Sequence, residues 1–110
     1  MKENIIIEDN NILKKFFKAN KKYEELIINN ILFRLPDIIK SSPYKIKAVQ
    51  NYIYNGKTIY EYKIPLDNAI NCRVAYTNYN NKIKVFFISN TIIKREFVKL
   101  LSNMAGVSKS

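Results

Sequence analysis

The sequence predicts a single α+β domain over residues 1–110. In it, an N-terminal strand and a helical hairpin pack on a small antiparallel sheet of about four strands, with a C-terminal helix. Hydrophobic residues make up 47% of the chain and only two residues are Gly, which is typical of one packed core. Apolar residues recur at helical spacing near both ends, and alternating segments lie between them, separated by Asn-rich turns.

The N-terminal half favours a strand followed by two helices. Residues 4–8 are short and β-branched, which indicates a strand. Apolar side chains within residues 12–17 lie on one stripe of a helix, and Asn residues before them can cap it. A longer stripe runs through residues 21–40, where Pro36 either kinks the helix or ends it. Residues 41–43, Ser-Ser-Pro, are expected to stop it.

The C-terminal half predicts an antiparallel meander and a final helix. Three alternating segments with short turns between them form the meander; they are residues 58–66, 70–77 and 82–89. The last segment is the most apolar and is expected to lie centrally. Asn55-Gly56 predicts a tight turn after residues 44–54, which are mixed in pattern and expected to be extended. A helix is predicted from Ile92 to Met104, with Gly106 ending it.

Alternation along the strands predicts two different faces of the sheet. One face is expected to lie under the helical hairpin; its residues are Tyr62, Ile64, Cys72, Val74, Val85 and Phe87. The other face then carries charged residues and one ring; these are Glu61, Lys63, Arg73, Lys84 and Phe86. Such a face suits RNA, because cations hold phosphates and a ring stacks on a base. The alternative is a solvated face packed by the C-terminal helix.

The charge of the chain favours a polyanionic partner. Nineteen Lys and Arg residues stand against nine Asp and Glu residues, which gives a formal net charge of +10. A field of this sign attracts nucleic acid or an acidic protein, and RNA is the favoured candidate. The abundance of Lys, Asn and Ile would also result from an AT-rich genome, so composition alone leaves that explanation open.

The missing His residues restrict the chemistry. With no His and one Cys, His-dependent catalysis and the usual zinc sites are excluded, and neither a metal nor a cofactor is expected. Cys72 cannot form an internal disulfide and is predicted to be an unreactive core residue. A reducing cytoplasm is therefore the expected compartment. No signal peptide is expected at the start, and no apolar stretch approaches the ~20 residues of a membrane span.

Four segments carry a family resemblance. They are Ile-Tyr-Glu-Tyr-Lys-Ile at 59–64, Cys-Arg-Val-Ala-Tyr at 72–76, Lys-Ile-Lys-Val-Phe-Phe-Ile at 82–88, and Lys-Arg-Glu at 94–96. With the preceding strand and helical hairpin, their order resembles that of the RelE/ParE superfamily of bacterial toxins. In the RelE branch, the resemblance implies a metal-independent endoribonuclease that cleaves mRNA, with its dependence on the ribosome left open. It also implies a cognate acidic antitoxin.

The resemblance assigns roles to particular cations. In the family reaction the ribose 2′-hydroxyl attacks the adjacent phosphate, leaving a 2′,3′-cyclic phosphate and a free 5′-hydroxyl. Arg73 corresponds to the Arg that binds the scissile phosphate, and Lys63 to a phosphate ligand or proton acceptor. Lys94 and Arg95 fall near the family's Arg after the last strand, with the register between them left open. Arg73→Ala is expected to abolish cleavage and leave the fold intact.

Lys82, Lys84 and Phe86 are the predicted RNA contacts beside these residues. Two positions depart from the family pattern. Glu61 stands where several relatives carry a Lys, and Phe97 lies near the position of a catalytic Tyr in some members. These departures keep a second reading open, that of a non-catalytic ParE-type toxin that binds DNA gyrase. A third hypothesis is that the protein is a small RNA-binding module without toxicity.

Overall fold

A mixed β-sheet forms the centre of the structure, which is a computed structural model that describes residues 4–91 and 93–110. Within these ranges the sheet has six strands, β1 (Asn4–Ile7), β2 (Lys47–Tyr54), β3 (Lys57–Asp67), β4 (Ile70–Tyr79), β5 (Lys82–Ser89) and β6 (Val107–Lys109). Their spatial order is β1-β5-β4-β3-β2-β6. The predicted number of about four strands was too low, because β2 and β6 also join the sheet.

The predicted meander is confirmed as β3, β4 and β5, each antiparallel to the next. The prediction that β5 lies centrally holds only in part: β5 pairs with β4 on one side and with β1 on the other, but it is second from the edge, and β4 and β3 are the central strands. The β1–β5 pairing is parallel, and this makes the sheet mixed rather than purely antiparallel. The chain is thus an α+β fold in which the N-terminal strand is added at the edge beside β5.

The helices follow the predicted order. Their bounds are α1 (Asn11–Ala19), α2 (Glu24–Asn29), α3 (Leu35–Ser41) and α4 (Lys94–Ser102). Two 3₁₀ turns lie at Lys21–Tyr23 and Pro43–Lys45, and a π-helical turn at Asn30–Arg34 joins α2 to α3. The side chain of Asn10 caps α1, where its Oδ1 accepts the backbone N–H of Leu13 at 2.8 Å. This confirms the predicted cap.

Pro36 is accommodated by the wider π-helical turn before it. The backbone N–H of Leu35 bonds to the carbonyl of Asn30, five residues back. Pro36 then lies in the first turn of α3, where a missing N–H removes no hydrogen bond that the helix needs. The helical run therefore continues past the proline instead of ending before it.

Two tight turns close the hairpins at one end of the sheet. Asn55 and Gly56 connect β2 to β3, and Asn80 and Asn81 connect β4 to β5. All four residues have positive φ, between 48° and 81°. Two consecutive positive-φ residues are typical of the type I′ turn, whose twist matches that of the strands it joins. The predicted turn at Asn55-Gly56 is confirmed.

A β-bulge in β5 changes the predicted faces. Ala75 pairs with Phe87 and Tyr76 pairs with Val85, so Phe86 is an extra residue on β5. Phe86 and Phe87 consequently belong to the same core cluster instead of alternating. The prediction that Phe87 lies under the helical hairpin is therefore wrong.

Each face of the sheet carries a hydrophobic core. The core under the hairpin includes Leu13, Ile27, Ile31, Leu35, Tyr62, Ile64, Cys72, Val74, Val85 and Ile88. Five of the six predicted residues are present, and Ile88 takes the place predicted for Phe87. The core under α4 includes Tyr54, Ile59, Ala75, Phe86, Phe87, Phe97, Leu101 and Met104. The second face is thus packed rather than open along its middle.

The C-terminal helix is shorter than predicted. It begins at Lys94, and Ile92 lies outside the described residues. The helix ends at Ser102, before Gly106, and Ile93 and Leu100 are exposed. Gly106 adopts a φ of 91° and reverses the chain into β6, which pairs antiparallel with β2. This return holds the end of α4 against the sheet.

Candidate functional site

A buried ion pair lies on the sheet face that α4 covers. Nη1 of Arg73 donates to Oε1 of Glu61 at 2.7 Å, and the Glu61 side chain is only 1% exposed. Nζ of Lys94, at the start of α4, lies 3.9 Å from the other carboxylate oxygen and is 52% exposed. One buried carboxylate is therefore held between two cations, which is the arrangement that a buried charge requires.

Strand register brings Lys63 beside Arg73. The two residues are directly opposite on β3 and β4, and Glu61 is opposite Ala75, two residues along. The short turn between the strands places Ala69 at a φ of 60°. Lys63 is exposed and the Arg73 side chain is 15% exposed. The prediction that these two cations share a face is confirmed, although Arg73 is more deeply set than an open face implies.

A further cation adjoins this group from β2. Lys47 is paired with Glu61 across β2 and β3, and it is exposed. Lys47 was not among the predicted site residues, because residues 44–54 show no clear alternation that would assign their faces. We call Lys47, Glu61, Lys63, Arg73 and Lys94 the Glu61 cluster. Its four cations and one carboxylate leave a net charge of 4 − 1 = +3.

Phe97 packs next to Arg73 in the Glu61 cluster. Its ring centre lies 5.7 Å from the guanidinium carbon of Arg73, and the ring packs edge-on against Phe87 at 5.3 Å. The side chain is fully buried, so this position supplies packing and a cation–π contact rather than a proton. Of the two predicted cations on α4, Lys94 contacts Glu61 while Arg95 is exposed on the helix.

No protein family, curated protein or solved structure matches this chain. Among the described residues, no group of three or more His, Cys, Asp or Glu side chains is placed to hold a metal ion. In the same part of the chain, no helix has the length and apolar character needed to cross a membrane. The interpretation of the site therefore rests on its own geometry.

Phe86 is not available to stack on a base. It is fully buried, and its ring stacks on Tyr54 with centres 3.8 Å apart and planes 1° from parallel. The bulge turns Phe86 toward the core under α4 together with Phe87. The prediction of an exposed ring at Phe86 is wrong for this reason.

Lys82 and Lys84 lie away from the Glu61 cluster, at the end of the sheet that carries the two tight turns. They line a groove together with Lys57 and Tyr79. Lys57 and Lys63 are six residues apart on β3, which corresponds to about 20 Å. The single basic face expected from alternation is therefore divided in two by the core under α4.

The buried thiol and phenols are held in their protonated forms. Burial raises the pKa of Cys72 from 9.0 to about 12. Burial also raises the pKa of Tyr62, whose hydroxyl donates to Oδ1 of Asn30 at 2.9 Å. Burial and a hydrogen bond to Glu8 raise the pKa of Tyr54 to about 12. Cys72 is thus the unreactive core residue that the sequence predicted.

Proposed function

We propose that this protein is a metal-independent endoribonuclease toxin that resembles the RelE branch and cleaves mRNA in the cytoplasm, with a cognate acidic antitoxin as its partner. The observation that carries the proposal is the direct pairing of Lys63 with Arg73 beside Glu61 and Lys94. Like charges directly opposite each other on a sheet destabilise it by repulsion. A phosphate bound between Lys63 and Arg73 would offset this repulsion.

Arg73 and Lys63 would bind the scissile phosphate. The planar guanidinium offers several donors to phosphate oxygens, and Glu61 holds it in one orientation through the 2.7 Å contact. Lys63 approaches from the neighbouring strand and is open to solvent. Together they would stabilise the negative charge that develops on the phosphoryl oxygens in the transition state.

The reaction forms one bond and breaks another. The 2′-oxygen bonds to phosphorus, the bond from phosphorus to the 5′-oxygen breaks, and the products are a 2′,3′-cyclic phosphate and a 5′-hydroxyl. In this proposal the proton of the 2′-hydroxyl passes to water, and Lys94 donates a proton to the leaving 5′-oxygen. Glu61 is a positioning residue, because its Oε1 already accepts from Arg73.

Two general features of the chain support this function. The net charge of +10 suits an RNA substrate and rewards an acidic partner that neutralises it. The cluster places cations on three strands and one helix around one point, so a phosphate would be contacted from several directions.

Lys63→Ala tests the proposal, because Lys63 is exposed and its removal leaves the core intact. We expect mRNA cleavage on programmed ribosomes or in free RNA to fall by roughly 100-fold or more, as for the loss of one charge-stabilising group. The products should carry 2′,3′-cyclic phosphate ends. Lys15→Ala, an exposed Lys on α1, is the matched control and should cleave at the wild-type rate. Full activity in Lys63→Ala rejects the assignment.

One observation favours a second candidate function. The position at which some relatives carry a catalytic Tyr is occupied by Phe97, which is fully buried. This favours the non-catalytic toxin of the ParE type, which would inhibit DNA gyrase by binding it. A supercoiling assay separates the two functions, since inhibition of gyrase without any RNA cleavage supports the second and excludes the first.

A further inference from the structure

A second basic groove lies on the same side of the sheet as α4, at the end that carries the tight turns. It has a volume of about 240 Å³ and is lined by Tyr54, Asn55, Lys57, Thr77, Tyr79, Lys82 and Lys84. Three of these described lining residues are Lys and none is acidic, so they contribute a charge of +3. The groove takes no part in the cleavage chemistry proposed above, because its Lys57 lies about 20 Å along β3 from Lys63, the proposed phosphate ligand.

Strand register sets the spacing of the groove's amines. Lys82 is opposite Tyr79 and Lys84 is opposite Thr77 across β4 and β5. Lys82 and Lys84 are two residues apart on one strand, so they share a face and lie about 7 Å from each other. The amine of Lys57 lies 5.4 Å from the centre of the Tyr79 ring, and Tyr79 is 58% exposed. The exposed Tyr79 ring therefore lies between Lys57 and Lys82 across the strands, and Lys84 lies beside Thr77 farther along β5.

The groove is built on rigid parts. Asn55 of the tight turn between β2 and β3 lines the groove, and Tyr54 forms part of its wall. Tyr54 is fixed by its stacking on Phe86 and by donating its hydroxyl to the carboxylate of Glu8 at 2.9 Å. A preformed site loses less conformational entropy when a ligand binds than a site on mobile loops does.

We propose that this groove binds single-stranded RNA, with the three Lys side chains on phosphates and the Tyr79 ring stacked on a base. A basic groove that also offers a ring for base stacking has the recognition elements of single-strand binding surfaces. An acidic peptide would satisfy the amines but would leave the exposed ring unused. The choice of RNA over single-stranded DNA rests on the proposed function. The groove would hold the strand roughly six stacked nucleotides from Lys63.

Fluorescence anisotropy with a labelled 2′-O-methyl oligoribonucleotide tests the proposal. This probe has no 2′-hydroxyl to attack the phosphate, so binding is measured independently of cleavage. In Lys82→Ala/Lys84→Ala we expect the Kd to rise by roughly tenfold or more. The slope of log Kd against log salt should fall by about 1.4, the value for two lost phosphate contacts on a single strand. The matched control is Lys15→Ala/Lys40→Ala, which removes the same charge from exposed helix positions.

Substitutions of Tyr79 test the stacking contact separately. Tyr79→Ala should raise the Kd by roughly tenfold without changing the salt slope, and Tyr79→Phe should restore the affinity. Thermal unfolding of each variant checks that the fold is kept. Tight binding of the probe by Lys63→Ala, together with loss of cleavage, would support both proposals at once.

Three results would overturn the groove assignment. They are an equal loss of affinity in the control double variant, competition by poly-glutamate as effective as that by RNA, and no measurable binding of the probe by the wild-type protein. An equal loss in the control would mean that binding depends on the total charge of the protein. Effective competition by poly-glutamate would mean that the groove binds an acidic protein. A protein that binds the probe through the groove but cleaves no RNA keeps this inference and rejects the proposed enzymatic function.

Discussion

Glu61 and Arg73 form a 2.7 Å ion pair whose carboxylate is almost completely buried. The two residues lie on adjacent strands and meet beneath the first turn of α4, where Lys94 provides a second, longer contact. Neither member of such a pair can be removed without leaving the other's charge poorly compensated. Arg73 therefore supports the fold as well as the proposed site, which changes how its substitution must be interpreted.

Arg73→Ala should destabilise the protein as well as remove activity. We expect the free energy of unfolding to fall by roughly 3–5 kcal/mol, the range for breaking a buried pair, with Lys94 favouring the lower end. Chemical unfolding in urea measures the change. The sequence-based expectation of an intact fold in this variant does not fit a guanidinium that is 15% exposed and bound to a buried carboxylate.

A double-mutant cycle separates the two roles. Glu61→Gln/Arg73→Gln should recover a large part of the stability that Arg73→Gln alone loses, because the buried charge is then absent. Cleavage should stay lost in the double variant. Additive losses of stability would show that the pair contributes nothing to the fold.

Phe86→Leu should lower stability and retain most of the nucleic-acid affinity. The Phe86 ring is fully buried against Tyr54, so the smaller side chain is expected to cost about 1–2 kcal/mol of unfolding free energy. Urea unfolding and anisotropy with the 2′-O-methyl probe give the two measurements. A loss of affinity as large as that of Tyr79→Ala, in a fully folded variant, would mean that the ring contacts the ligand directly.

The two glycines should respond differently to alanine. Both have φ near the left-handed region, 81° at Gly56 and 91° at Gly106. A Cβ at Gly56 meets nothing within 4 Å, whereas one at Gly106 would lie 2.8 Å from Cε1 of Tyr54. Gly56→Ala should therefore cost about 1–2 kcal/mol of backbone strain.

Gly106→Ala adds a steric clash to the same strain, and we expect a loss of roughly 2–5 kcal/mol. Thermal or urea unfolding of the two variants side by side is the measurement. Equal losses would argue against the close packing of Gly106 on Tyr54.

Cys72 should make stability fall at alkaline pH. Burial raises its pKa from 9.0 to about 12, so the folded state favours the thiol. This contribution is fully present below pH 9 and is lost as the pH rises toward 12. Cys72→Ala should show a shallower decline of unfolding free energy across that window than the wild type. An equal decline in both proteins would assign the pH dependence to other groups.

The elements that sequence predicts well here are those set by local chemistry. Asn55-Gly56 specifies its turn because both residues tolerate positive φ. The pairing of Lys63 with Arg73 follows from period-two alternation on two strands that a short turn connects. No tertiary information was needed for either relationship.

The relationships that sequence did not predict depend on single-residue register changes and on burial. The bulge at Phe86 shifts the register of β5 by one residue within an apolar run. Every residue of that run suits a core, so the alternation pattern does not reveal the shift. The strand Val107–Lys109 has only three residues and one apolar side chain, too short for a periodic signal. The role of Glu61 depends on its burial under α4, which alternation along the strands does not predict.

The parallel pairing of β1 with β5 has a consequence for biosynthesis. Asn4 pairs with Lys82, seventy-eight residues later in the chain. At the usual rate of translation, roughly 4–16 s pass before the partner strand has been made. During that interval the nascent N-terminal strand, rich in isoleucine, has no native neighbour and is a segment that chaperones or a waiting binding protein can engage.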